Sequence, residues 1–570
     1  MRMKLFPKSV AILCVLSLLL SLSAPLNGVV QAASARPDKS SIGVVVSTQK
    51  TASNIGLQVL KDGGNAFDAA VAVGYALAVV HPVAGNIGGG GFAIIHTAAG
   101  DNVALDFREM APGKATRDMY LDKDGNVVPA ASTDGYLAAG VPGTVAGMSA
   151  LLNKYGTKSL ATLMQPAIKY ADDGFVISER QAETFKEHAP RLNKFASSRK
   201  YFMKPDGSTY KEGETFIQKD LAKTLRMIAQ QGPDAFYKGE IAELIAKDMA
   251  ANGGLITTED LAKYKPVWRE PVKGTYRGYE ILSMSPPSSG GTHILQILNV
   301  MEGYDLKSMG FGSSATVHVM AEAMRYAYAD RSEFMGDPDF VKVPVKGLIA
   351  KDYAAEIRAK IDPAKATPSS QVRPGTPGMY EGTNTTHYSI VDKSGNAVSI
   401  TYTINDYYGS ATAVNGAGFL LNNEMDDFSI KPGVPNIYGL VGGAANAVEP
   451  YKRPLSSMSP TIVLKDGKIF MVVGSPGGSR IITTVLQVIE NVIDHDMNIR
   501  EAVDAPRIHM QWLPDELRIE KNGLAKDVID SLTSMGYKVV VRGSMGDVNA
   551  ILVDPVSGVM YSSGDPRNEF

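Results

Sequence analysis

Asn384-Thr385-Thr386-His387-Tyr388-Ser389-Ile390-Val391 is the stretch on which the fold turns. Residues 385–391 are rich in β-branched and aromatic side chains and predict a strand. Asp392-Lys393-Ser394-Gly395-Asn396 is a polar turn, and Ala397-Val398-Ser399-Ile400-Thr401-Tyr402-Thr403 is the returning strand. Pairing Val391 with Ala397 sets a register that runs back through His387–Thr401 to Thr385–Thr403. One face then carries Thr385/Thr403, His387/Thr401 and Ser389/Ser399; the other carries Tyr388/Ile400 and Ile390/Val398 and is the buried one. Directly opposed residues have Cβ atoms about 5 Å apart, so two threonine hydroxyls meet at the open end. Taken alone, this predicts a half-buried hairpin with a polar face.

Working outward, Ile42-Gly43-Val44-Val45-Val46 reads as a strand and Thr51 to Val80 as helices broken at Gly63-Gly64. Asn65-Ala66-Phe67-Asp68-Ala69-Ala70-Val71-Ala72 opens a helix of small residues suited to close packing. Gly85-Asn86-Ile87-Gly88-Gly89-Gly90-Gly91-Phe92 fits neither nucleotide-loop spacing nor a Walker lysine. It predicts close backbone approach before a core strand, Phe92 to His96. Val103 to Phe107 alternates as a strand and delivers Arg108-Glu109-Met110-Ala111-Pro112; Gly140-Val141-Pro142-Gly143-Thr144 is a turn opening a helix. Residues 155–280 read as mostly helical, with candidates at 160–170, 221–231 and 236–251. Ser285-Pro286-Pro287-Ser288-Ser289-Gly290-Gly291 is punctuation before a helix, and Val317 to Asp330 is a long helix. The breaker-rich segment 362–384 is extended and ends just before Thr385.

The chain has 570 residues, a net charge of −2 and 44% hydrophobic residues, enough for a substantial core. The balanced charge leaves no footprint for nucleic acid or an anionic membrane. Met-Arg-Met-Lys followed by the apolar run Val10 to Leu22 and the small-residue sites Val30-Gln31-Ala32 and Ala33-Ser34-Ala35 is a secretory signal pattern over residues 1–35. The run is short of the ~20 residues that a membrane span needs. The single cysteine, Cys14, lies inside this leader, so an exported mature chain has neither disulfides nor thiol chemistry. The eight histidines show no paired ligand spacing, and neither metal nor cofactor is expected. Ser197-x-x-Lys200 has β-lactam-enzyme spacing without its companion motifs.

Thr385-Thr386-His387-Tyr388-Ser389-x-Val391-Asp392, with the 63–70 and 88–92 glycine motifs, resembles the γ-glutamyltransferases (γ-glutamyl transpeptidases). The resemblance covers nearly all of the chain after the leader. It implies the four-layer αββα sandwich of N-terminal-nucleophile hydrolases. It also implies a precursor that cuts itself at Asn384–Thr385 into a large chain, 36–384, and a small chain, 385–570, which stay together as one interleaved heterodimer. Thr385 becomes nucleophile and N-terminus at once. A threonine hydroxyl is a weak nucleophile, but the α-amine freed by the cut has a pKa near 8 and can serve as its base. Thr403 is implied to support that amine.

Gly474-Ser475-Pro476-Gly477-Gly478-Ser479 lies between a strand (469–473) and a helix (481–492), where backbone N–H groups sit beside a positive helix end. By resemblance Gly477 and Gly478 form the oxyanion hole. A γ-glutamyl group presents an α-carboxylate and an α-ammonium. The resemblance sets Arg108 with Ser456 and Ser457 against the first, and Glu424 and Asp427 with Asn405 against the second. Glu424-x-Asp426-Asp427 by itself is an acidic turn and lacks calcium-loop spacing. Tyr438 matches a lid loop over the donor. Asp406 departs from the uncharged residues common there, and Arg507 and Arg567 match acceptor-site or supporting positions.

The expected activity is transfer of the γ-glutamyl group of glutathione and related amides to water, amino acids or peptides, in the periplasm or outside the cell. Two other readings compete. Relatives cleave glutaryl-cephalosporins or poly-γ-glutamate; against these stand the intact head-group set and a lid too closed for a bulky polymer. The other is an uncleaved exported binding protein without activity.

Overall fold

The hairpin forms in the predicted register. In the computed structural model, which describes residues 35–375 and 386–568, strand Thr386–Asp392 pairs antiparallel with Ala397–Thr403. His387 faces Thr401, Ser389 faces Ser399 and Val391 faces Ala397. The expected Thr385–Thr403 pair, and the Asn384–Thr385 bond, lie outside the described residues. The half-buried expectation needs correction, because every residue of both strands is buried.

The reason is a second sheet. The hairpin sits inside a six-stranded antiparallel sheet ordered Gly43–Ser47, Thr386–Asp392, Ala397–Thr403, Gly90–His96, Asn102–Phe107, Val267–Arg269. A seven-stranded sheet lies against its polar face, with Asn549–Val553, Lys468–Val473 and Thr461–Lys465 at its centre. The face is polar because its hydroxyls satisfy backbone groups across the gap. Ser389 Oγ donates to Asn549 O at 2.9 Å, and Ser399 Oγ donates to Val473 O at 3.2 Å while accepting from Thr461 N at 3.0 Å. Elsewhere between the sheets, Val44, Phe92 and Ile94 pack with Leu282, Ile462 and Val472.

Helices close both outer faces. Ala66–Val80 is buried along its whole length and starts in a capping box between Asn65 and Asp68. Tyr388 and Tyr402 of the hairpin donate to its Ala70 and Gly74 carbonyls, at 3.1 and 3.0 Å. Gly290–Met301 and Ile481–Ile493 cover the seven-stranded sheet through Ile294, Leu298, Val485 and Ile489 against Val463 and Met471. The result is a helix–sheet–sheet–helix sandwich. Both sheets mix strands from before residue 376 and after residue 385, so neither part has a complete core of its own. Among the described residues no helix is long and apolar enough to cross a membrane.

Two differences from expectation are local. The helix expected over 236–251 is split into Asp234–Tyr237 and Glu240–Ala251, with extended Gly239 between them. The region expected to be helical to residue 280 ends in Val267–Arg269 and the hairpin Val272–Tyr276/Tyr279–Ser283. That hairpin turns on Arg277 (φ 51°) and Gly278 (φ 79°), and the small sequence signal for it was the Arg-Gly pair.

The glycine run is a close approach, as expected. A Cβ on Gly89 would stand 1.8 Å from Thr403 O, and one on Gly88 2.1 Å from Leu420 O. Gly89→Ala is therefore expected to displace the end of the central hairpin and cost about 3 kcal/mol or more. A Tm equal to that of the unsubstituted protein would contradict this.

Candidate active site

Thr386, the first described residue of the hairpin, opens onto a cavity of about 420 Å³. Asn405, Tyr438, Gly477, Gly478 and Asp547 share its lining. Each wall has a local cause. Asn405 follows the returning strand in the left-handed region (φ 72°) and is fixed twice. Its N–H donates to Thr403 Oγ1 at 2.6 Å and its Nδ2 to Asn423 O at 3.0 Å. Thr403 is thus buried at the hairpin's open end, where the register placed it.

The glycine turn leaves strand Lys468–Val473 and enters helix Ile481–Ile493 through one 3-10 turn. Gly477 (φ 139°) and Gly478 (φ 66°) both adopt conformations that side chains disfavour. The Tyr438 loop is held by its own Asn436, whose Oδ1 accepts from Tyr438 N at 3.0 Å and Leu440 N at 3.1 Å. Ile437 N donates to Asp426 Oδ2 at 3.0 Å, which ties the loop to the acidic turn.

The charged residues form a separate, fully buried cluster. Arg108 Nη1 lies 2.6 Å from Glu424 Oε2, and Nη2 lies 2.5 Å from Asp427 Oδ2. Arg108 also donates to the carbonyls of Pro454 (3.1 Å) and Leu455 (2.9 Å). Arg108 and the two acids thus pair directly with one another. Buried opposite charges pair with each other, because an unpaired one is costly.

Three carboxylates, Glu109, Glu424 and Asp427, surround the one guanidinium. Burial disfavours the charge on Arg108, but those carboxylates more than restore it and raise its pKa. Burial pushes Glu109 up to about 8 against the pull of Arg108, and holds Glu424 well above the usual carboxylate range. Two of its three carboxyls are held toward their protonated form and can ionise against an incoming cation.

Ser456 and Ser457 are fully buried beside this cluster. Ser288 Oγ donates to Ser456 O (3.0 Å) and Met458 O (2.6 Å), and Ser456 N donates to Pro287 O (2.9 Å). The 285–291 loop, read as punctuation, is the template for the 454–459 segment. Arg331, which sequence reasoning passed over, donates to Ser457 Oγ at 3.0 Å.

Several other charged and polar residues are engaged elsewhere. Asp406 accepts from Arg191 Nη1 at 2.9 Å, so its extra charge is paired. Arg507 and Arg567 bind Asp565 and Glu520 and brace the chain end; neither lines the cavity. Ser197 meets Tyr136 and Lys200 meets Asp220, so the Ser-x-x-Lys pair is not a unit. Among the described residues, no group of three His, Cys, Asp or Glu is placed to hold a metal ion.

Known proteins bear on this arrangement. A family model described as Gamma-glutamyltranspeptidase matches residues 52–569. A glutathione hydrolase proenzyme of Escherichia coli (strain K12) is 56% identical over 533 residues, covering 93% of this chain and 91% of its own. The crystal structure of Helicobacter pylori gamma-glutamyltranspeptidase is 62% identical with a TM-score of 0.59, covering 61% of this chain and 99% of that one. Cephalosporin acylase from Bacillus halodurans superposes with a TM-score of 0.84 at 29% identity, over 95% of this chain and 97% of that one. The matches span both sheets, the glycine turn and the charge cluster alike: the chain belongs to the gamma-glutamyltranspeptidase family and carries the αββα fold of N-terminal-nucleophile hydrolases.

Proposed function

We propose that this chain is an exported γ-glutamyltransferase that cuts itself between Asn384 and Thr385 and then uses Thr385 as nucleophile. Residues 1–35 are the leader, and 36–384 and 385–570 become the two chains of one heterodimer. The observation that carries the reading is the buried cluster of Arg108 with Glu424 and Asp427, which sets one guanidinium among more than one carboxyl. An α-amino-acid head group brings an ammonium against which those carboxyls can ionise and a carboxylate for Arg108 and the Ser456 and Ser457 hydroxyls.

Thr385 and its α-amine lie outside the described residues, and the chemistry follows from their being on one residue. The amine takes the hydroxyl proton, Oγ attacks the γ-carbonyl, and the proton passes to the leaving amine. Backbone N–H groups at Gly477 and Gly478 meet the developing oxyanion, worth roughly 3 kcal/mol per donor. Water, or an amino-acid or peptide amine, then takes the γ-glutamyl group from the Thr385 ester. Donors of the glutathione type fit the relative named glutathione hydrolase proenzyme.

The likeness to a cephalosporin acylase keeps a second donor in view, a glutaryl group without the ammonium. Steady-state rates on γ-glutamyl and glutaryl anilides separate the two. The γ-glutamyl anilide is expected to be the better substrate by at least tenfold in kcat/KM. Equal or faster glutaryl turnover would overturn the assignment of Glu424 and Asp427 to an ammonium.

A further inference from the structure

We propose that Asp547 is the base of an acceptor subsite: its carboxylate receives the ammonium of an amino-acid or peptide acceptor and removes the proton the amine must lose before attack. This rests on the reading of Thr385 given above. Asp547 stands in the wall of the same cavity as Thr386, Gly477 and Gly478. It is anchored on the glycine turn, since its N–H donates to Ser475 Oγ at 2.9 Å. The Cα of the preceding Gly546 is 3.3 Å from where a Cβ on Gly477 would stand.

It is also tied to the start of the hairpin. Thr48 Oγ1 donates to Asp547 Oδ2 at 2.8 Å, and Asn549, two residues on, donates from Nδ2 to His387 O at 3.1 Å. Asp547 therefore lies between the strand that Thr385 precedes and the turn that faces the oxyanion. The other cavity carboxylate, Asp406, is already paired with Arg191, whereas Asp547 has no ion pair among the described residues. Burial and the nearby Asp565 hold its carboxyl up to about 8, against Thr48 and Arg507. An α-amine titrates at about 7.7–8.0, so the two groups exchange a proton at little cost.

The step balances. The acceptor ammonium gives one proton to Asp547, and the free amine attacks the ester carbonyl and forms the C–N bond. The Thr385 α-amine takes the second proton from the attacking nitrogen. It returns that proton to Oγ as the C–O bond breaks. Asp547 releases its proton to solvent.

The test compares two nucleophiles on Asp547→Asn, which keeps the shape and the neutral form of the side chain. With glycylglycine, the ratio of transfer to hydrolysis of a γ-glutamyl anilide is expected to fall at least tenfold. With hydroxylamine, uncharged near neutral pH, that ratio is expected to stay within about twofold, and Asp547→Glu to recover part of the glycylglycine ratio. An unchanged glycylglycine ratio, or an equal fall with both nucleophiles, overturns the proposal. Absence of anilide hydrolysis in the unsubstituted enzyme instead overturns the nucleophile reading beneath it. Should the Asn variant fail to split, the unsubstituted enzyme still decides. A trimethylammonium analogue of glycylglycine is expected to inhibit transfer at least fivefold better than N-acetylglycylglycine; equal or weaker inhibition overturns the subsite.

Discussion

Thr385→Ala is expected to yield a folded protein that stays in one piece and turns over γ-glutamyl anilide at least 10⁴-fold more slowly than the split enzyme. The magnitude follows from the loss of a covalent nucleophile, which costs about 10⁴–10⁶ in kcat where it has been measured. The residue does two tasks, so one substitution removes both. No hydroxyl remains to attack the Asn384 carbonyl, and no acyl ester can form afterwards. Folding is expected to survive, because the ladder from Thr386 to Val391 is made by residues that this substitution leaves unchanged. A denaturing gel and an anilide assay check the two halves separately. Normal splitting in this variant would place the cut or the nucleophile elsewhere.

Arg108→Leu is expected to damage stability and activity together. Arg108 is fully buried, and its removal leaves Glu424 and Asp427 facing each other without a cation. Breaking a buried pair from one side costs about 3–5 kcal/mol, part of which is recovered as the acids take up protons. The sign of the pH effect follows. Glu109 and Glu424 have raised affinities for protons, so the variant should be least unstable in acid and lose stability as pH rises through their folded pKa values. Thermal melts at two pH values measure this. Anilide kcat/KM should fall at least 10³-fold, with Arg108→Lys recovering charge but not the fork that spans two carboxylates. A variant with unsubstituted Tm and kcat/KM would remove the cluster from the account.

What the residues disclosed in advance was whatever is written locally. The alternation in 386–391 and 397–403 has a period of two, which determines a hairpin register without outside help. Gly88 and Gly89 announced a crowded backbone because no other residue tolerates it. Gly477-Gly478 announced a turn into a helix. The burial of the hairpin's polar face was not legible. The groups that satisfy Ser389 and Ser399 come from Asn549 and Val473, 160 and 74 residues away.

The site divides in the same way. Arg108 at a strand end looks like any surface arginine until Asp427, 319 residues on, arrives beside it. The serines of the 285–291 loop read as spacer because their partners, the Ser456 and Met458 carbonyls, are backbone atoms that leave no mark in composition. Asp547 sits in a Gly-Asp-Val-Asn run indistinguishable from an ordinary turn, and only its place in the cavity wall singles it out.

The measurement that bears most directly on the whole account is N-terminal sequencing with intact mass on the purified, active protein. Two polypeptides are predicted, the smaller starting Thr-Thr-His-Tyr-Ser. A single polypeptide that runs unbroken through residue 385 and still transfers γ-glutamyl groups would contradict it.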